Sequence, residues 1–133
     1  MSPTVGGGMI ESMSTTVYGI TNCDTVKRAR AWLSEQGVAY TFHDFKKLGV
    51  PEPELDRWLA SAGWETLVNR RGTMWRRLGD ATRDSVVDNA SARRALMEYP
   101  SLIKRPVVQW PGRKDATIGF DVEAWEKLAA NAK

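Results

Sequence analysis

The chain holds one cysteine, Cys23, and one histidine, His43. Cys23 follows a β-prone run, Val17 to Ile20, and the turn-formers Thr21 and Asn22. After it the pattern becomes helical, with Val26, Ala29, Trp32 and Leu33 on one face at spacings of three and four. The thiol therefore stands where a strand hands over to a helix. The first N–H groups of a helix lack intrahelical partners, and the aligned peptide dipoles leave partial positive charge there. A thiolate at that point gains hydrogen bonds and a favourable field, and the thiolate is the nucleophilic species. Lys27 and Arg28, one turn further on, add stabilising positive charge, and Asp24 opposes them. Free cysteines are most often small buried apolar residues. The polar neighbours Asn22 and Asp24 at a strand–helix junction favour a reactive thiol instead.

Composition narrows the chemistry. At 133 residues the chain is one domain with room for a real core. Its 42% hydrophobic and 26% charged residues are those of a soluble globular protein. No apolar run is long enough to span a membrane. One cysteine forms no internal disulfide, so an oxidising compartment is not implied and a cytoplasmic location is expected. One cysteine and one histidine also exclude a Cys/His zinc site, and no metal or bound cofactor is expected. A net charge of +3 suits an anionic small molecule or peptide and does not point to DNA.

The elements that must position Cys23 follow from periodicity. Residues 1–15, rich in Gly, Ser, Thr and Met, are expected to be a flexible leader without the marks of a signal peptide. A helix is predicted from about Asp24 to Gln36 with Gly37 as its C-terminal cap. A strand follows over Val38 to His43, where His43 is a strand-face residue rather than a base. Lys46 to Pro51 is predicted as a loop. Pro53 opens a helix with Leu55, Trp58 and Leu59 inward, ended by Gly63. Residues 64–68 form a further turn, Asn69 to Thr73 a basic turn, and Trp75 and Leu78 a short helix. Two more helical pieces carry Val86 and Val87, then Ala92, Ala95, Leu96 and Tyr99, ended by Pro100. A hairpin spans Val107–Trp110 and Ala116–Gly119. Asp121 caps a last helix with Val122, Trp125 and Leu128 inward. The outline is α/β: β-α-β, a helical insertion at about 52–100, then β-β-α, in one domain over 16–133.

Three motifs sharpen this. They are Y-G-I-x-N-C-D-T-x-K-x-A from Tyr18, L-x-N-x-R-G-T-x-W-R-x-L from Leu67 and P-x-x-I-K-R-P from Pro100. In this order they resemble the arsenate reductase (ArsC)-like family, and within it the YffB-like branch, related to the Spx regulators. The resemblance covers roughly residues 16–130 and implies a thioredoxin-like mixed sheet. It also implies that Cys23 is the nucleophile, that Pro106 is a cis-proline facing it, and that Arg105 and Arg71 bind substrate beside Asn22. It departs from true arsenate reductases at three places. Asn69 stands where they carry an arginine, the run Thr117 to Phe120 lacks another, and Gly19 stands where they carry a histidine. A guanidinium fork is the natural partner of a tetrahedral oxyanion, so arsenate reduction is expected to be poor or absent.

The resemblance to the YffB-like branch implies a glutathione-linked thiol oxidoreductase, with glutathione as co-substrate. Val26 stands where a second cysteine would make Cys-x-x-Cys, so the bond formed at Cys23 must be resolved by glutathione or an external thiol protein. The alternative that the resemblance carries is a Spx-like, non-catalytic regulator binding RNA polymerase. Val26 disfavours a disulfide-switched form of it.

Overall fold

The computed structural model of the chain describes residues 14–133. Apart from Ser14 and Thr15, the expected leader lies outside the described residues. Thr15 corrects its boundary, being a buried residue of the first strand, β1 (Thr15–Gly19). Thr15, Val17 and Gly19 are buried while Thr16 and Tyr18 are half-buried, the pattern of a strand covered on both faces. β1 pairs in parallel with β2 (Tyr40–Asp44) across the helix α1 (Asp24–Glu35). On its other side β1 pairs antiparallel with β3 (Val107–Gln109), which pairs antiparallel with β4 (Thr117–Ile118). The sheet order β2-β1-β3-β4, closed by a last helix α8 (Val122–Ala132), is the expected thioredoxin-like arrangement.

Strand alternation sends each cross-strand pair to one of two cores. Val17 and its partner Val108 join Ala29 and Leu33 of α1 and Trp125 and Ala129 of α8. Trp110 completes this cluster, its indole N–H donating to Thr117 Oγ1 at 2.9 Å. Tyr18 and its partner Val107 face the opposite core, filled by the insertion. The insertion runs through α2 (Phe45–Leu48), α3 (Glu52–Ala62), α4 (Trp64–Leu67), α5 (Thr73–Arg77), α6 (Asp80–Ser85) and α7 (Asn89–Glu98). A 3₁₀ turn, Pro100–Leu102, leads back to β3.

Four expectations need correction. Lys46 to Leu48 are not loop but belong to α2, because Asp44 accepts a hydrogen bond from the Lys46 N–H and so starts a helical turn. Val86 and Val87 lie beyond the end of α6, with Val86 buried and Val87 exposed. The reason is Asp88, which forms a capping box with Ser91 at the start of α7 and holds extended backbone before it. Tyr99 is likewise past its helix, as the residue before Pro100. Val122 sits in the first turn of α8 and is exposed, while Asp121 caps that helix as expected. Among the described residues no helix is long and apolar enough to cross a membrane.

Trp125 is 1% exposed and meets Trp110, Phe120 and Trp32 edge to face, with ring centroids 5.1, 4.7 and 5.9 Å away. Trp125→Ala is expected to cost about 3–5 kcal/mol in chemical denaturation, through lost burial and a residual cavity. Val87→Ala, at a side chain 65% exposed, is expected to stay within about 0.5 kcal/mol.

Candidate active site

Cys23 is the N-cap residue of α1, with extended backbone (φ −152°, ψ 119°). Its carbonyl accepts the Lys27 N–H at 2.9 Å, which commits the main chain to the helix. Its side chain caps nothing. The free thiol is half-buried, packed against the insertion-side core and beside the unpaired first N–H groups of α1. Lys27 and Arg28 are both exposed on α1, and Arg28 Nη2 reaches Thr25 Oγ1 at 3.5 Å. Val26, one turn on, is fully buried, and a Cβ on Gly19 would lie 3.0 Å from its Cγ2. The position of a would-be second cysteine is thus core, closed over by a strand residue that has no side chain.

The third motif reaches the site through main-chain pairing. Val68 and Ile103 form an antiparallel bridge. The Asn69 N–H donates to the Leu102 carbonyl at 2.7 Å and the Lys104 N–H to the Leu67 carbonyl at 2.8 Å. These bonds strap the end of α4 to the loop before β3. The Arg105–Pro106 peptide is cis, as the resemblance implied. Arg105 Nη1 donates to the carbonyls of Ser101 at 2.6 Å and Ile103 at 3.1 Å, and its buried Nε has no partner. The guanidinium is therefore curled over its own loop.

A cavity of about 340 Å³ opens between these pieces. Asn22, Asn69 and Thr73 give it polar groups, Lys46, Arg77 and Arg105 give it cations, and no carboxylate lines it. Asn22 and Arg105 are thus brought together as expected, with Cys23 next to Asn22 in the same turn. Arg71 is not part of this wall. It is exposed and lines a neighbouring cavity of about 360 Å³ with Arg70, Lys104 and Glu65, and Asn69 lines both. The reason is local: the Arg71 N–H donates to Asn69 Oδ1 at 3.3 Å, so the turn folds around the amide and carries Arg71 past it. Gly72 leaves room for that amide, since a Cβ there would lie 2.6 Å from Asn69 Nδ2.

Among the lining residues not assigned to the site from sequence are Lys46, Thr73 and Arg77. For the last two a signal existed. Thr73 and Arg77 are four apart on α5 and so share a face. Lys46 carried none, because its place depends on the α2 turn. His43 is not part of the site, and its Nε2 lies 2.8 Å from the Gly49 carbonyl oxygen.

Known proteins resemble this chain in sequence and fold. A YffB protein of solved structure is 42% identical and superposes with a TM-score of 0.81, covering 87% of this chain and 99% of that one. An arsenate reductase (ArsC)-related protein from Brucella melitensis is 46% identical with a TM-score of 0.68, covering 92% of this chain and 97% of that one. The global transcriptional regulator Spx of Streptococcus agalactiae serotype V is 28% identical over 108 residues, 80% of this chain and 76% of the regulator. Residues 18–128, which hold the cysteine turn, the basic turn of the insertion and the cis-proline loop, match the ArsC family, and the chain belongs to that family.

Proposed function

We propose that the chain is a monothiol oxidoreductase in which Cys23 exchanges disulfides with glutathione as co-substrate. The observation that carries this reading is the carboxylate-free, cationic cavity beside the N-cap cysteine and the cis-Pro106 loop. The Cys23 thiolate attacks the glutathione sulfur of a mixed disulfide R–S–S–G. The S–S bond breaks, RS⁻ leaves and takes a proton from solvent, and Cys23–S–S–G forms. An external glutathione thiolate then attacks the glutathione sulfur of the adduct, which regenerates the Cys23 thiolate and releases glutathione disulfide. The oxidising equivalent passes from R–S–S–G to the second glutathione, so no further oxidant or reductant is needed. Resolution comes from outside, because the chain has no other thiol.

The main chain before Pro106 supplies the alignment. Ile103 and Lys104 are already engaged with Val68 and Leu67 of the insertion, which makes Arg105 the residue to pair with an extended peptide. With Arg105 Nη1 held by carbonyls, Lys46 and Arg77 take over the role of meeting a carboxylate. A cytoplasmic, thiol-rich setting suits a chain that works through one free cysteine.

A second reading, a Spx-like regulator that binds RNA polymerase, is favoured by the 28% identity to a Spx protein. Retention of polymerase subunits on the immobilised protein, with no thiol exchange in solution, would select it.

Two outcomes test the enzyme reading. Incubated with glutathione disulfide, the wild-type chain should gain one glutathione by intact mass and Cys23→Ser none. Arg77→Ala and Arg105→Ala should each slow the addition by about tenfold, as expected for losing a charged donor, and less so at high salt for the exposed Arg77. Wild-type rates in both arginine variants would remove the cavity from the mechanism. Arsenate, in contrast, should be turned over poorly with glutathione. The amide of Asn69 offers no charged fork where arsenate reductases carry an arginine, and efficient turnover by the purified chain would overturn that argument.

A further inference from the structure

The cavity next to the cysteine's has a use of its own. It gathers Arg70, Arg71 and Lys104 against a single carboxylate, Glu65. All three cations are exposed, and none takes part in the ion pairs found among the described residues. Unpaired surface cations are common and individually worth little. These three differ in converging on one concave space whose backbone is fixed. The Arg71 N–H is held by Asn69 Oδ1, and its carbonyl accepts from Arg76 Nη1 at 2.7 Å. The Lys104 N–H is held by Leu67, and the Arg70 guanidinium lies 5.5 Å from the centre of the Trp64 ring. The side-chain ends of Arg71 and Lys104 stay available while their main chain is held, and Trp64 positions the Arg70 guanidinium, an arrangement that lowers the ordering cost of binding an anion.

Position gives the chemical class. Asn69 lines both cavities, and Lys104 immediately precedes Arg105 of the first. A ligand that lies across Asn69 meets cations at each end. We propose that the cavity of Arg70, Arg71 and Lys104 is a second anion subsite, which receives the far carboxylate of a small peptide thiol bearing an acid group at both ends. This rests on the reading of Cys23 as a mixed-disulfide site and adds a basis for selectivity to it. A thiol with one carboxylate fills the first cavity alone, and a dicarboxylate gains a guanidinium fork as well.

The test separates binding from chemistry. S-methylglutathione keeps both carboxylates and has no thiol to exchange. Its affinity, and that of its two monoesters, is measured by titration calorimetry on the wild-type chain and on Arg71→Ala/Lys104→Ala. At least one monoester should bind the wild type about tenfold more weakly than the diacid, and that penalty should vanish in the double variant. Arg71→Gln and Lys104→Gln singly should each remove part of it, which keeps the comparison available if the double variant folds poorly. Penalties that persist undiminished in the variants, equal binding of diacid and both monoesters, or no binding of any of the three would each overturn the subsite. A variant-sensitive penalty without glutathione addition at Cys23 would sink the catalytic reading and leave the subsite standing. Glutathione addition without such a penalty would do the reverse.

Discussion

Everything about this site depends on a short antiparallel contact between segments far apart in the chain. The Val68–Ile103 bridge, with its flanking bonds from Asn69 to Leu102 and from Lys104 to Leu67, ties the insertion to the loop before β3. Leu67, Leu102 and Ile103 are fully buried beneath it, so the pairing is shielded from water and the apolar side chains hold it shut. The insertion would otherwise be a helical appendage on one face of the sheet. With the strap in place, its basic turn becomes a wall opposite the cysteine. Asn69 follows directly from this, since its main chain forms part of the strap while its side chain divides the two cavities.

The electrostatics follow the same division. The helix start places Cys23 among unpaired N–H groups, and the cavity beside it carries cations without a facing carboxylate. Two acidic residues of the insertion are engaged away from the cavity beside the cysteine turn. Glu52 and Asp56 of α3 both bind Arg93 of α7, with N–O distances of 2.8 and 2.6 Å. They pin two helices together on the outer surface. Lys46, Arg77 and Arg105 take part in none of the ion pairs found among the described residues and line the cavity beside the cysteine turn.

The sheet and the cysteine turn were legible because they rest on local signals. A β-prone run marked β1, three-and-four spacing marked α1, and Asp121 and Gly37 marked helix ends by their capping chemistry. Errors arose where a local pattern had two solutions. The pair Val86–Val87 looks like part of a helical stripe until the capping box of Asp88 and Ser91 pulls it into extended backbone. The cavity wall was harder to see, because Lys46 and Arg77 line one cavity only after the insertion folds back, and no spacing along the chain encodes that. Arg71 was placed one cavity away from its expected position by a single side-chain hydrogen bond to Asn69.

The buried Val26 beneath Gly19 has a consequence for how the protein would respond to its surroundings. A chain with two neighbouring thiols releases two small thiols for each disulfide it consumes, so its oxidised fraction varies with the square of the free thiol concentration. In the proposed exchange, Cys23 alone would release one for each one taken up. Its modified fraction then depends only on the ratio of disulfide to thiol in the surrounding pool. Diluting or concentrating that pool at constant ratio leaves the fraction unchanged. With a core valine in the second position, the proposed exchange would make the protein a reader of proportion rather than of amount.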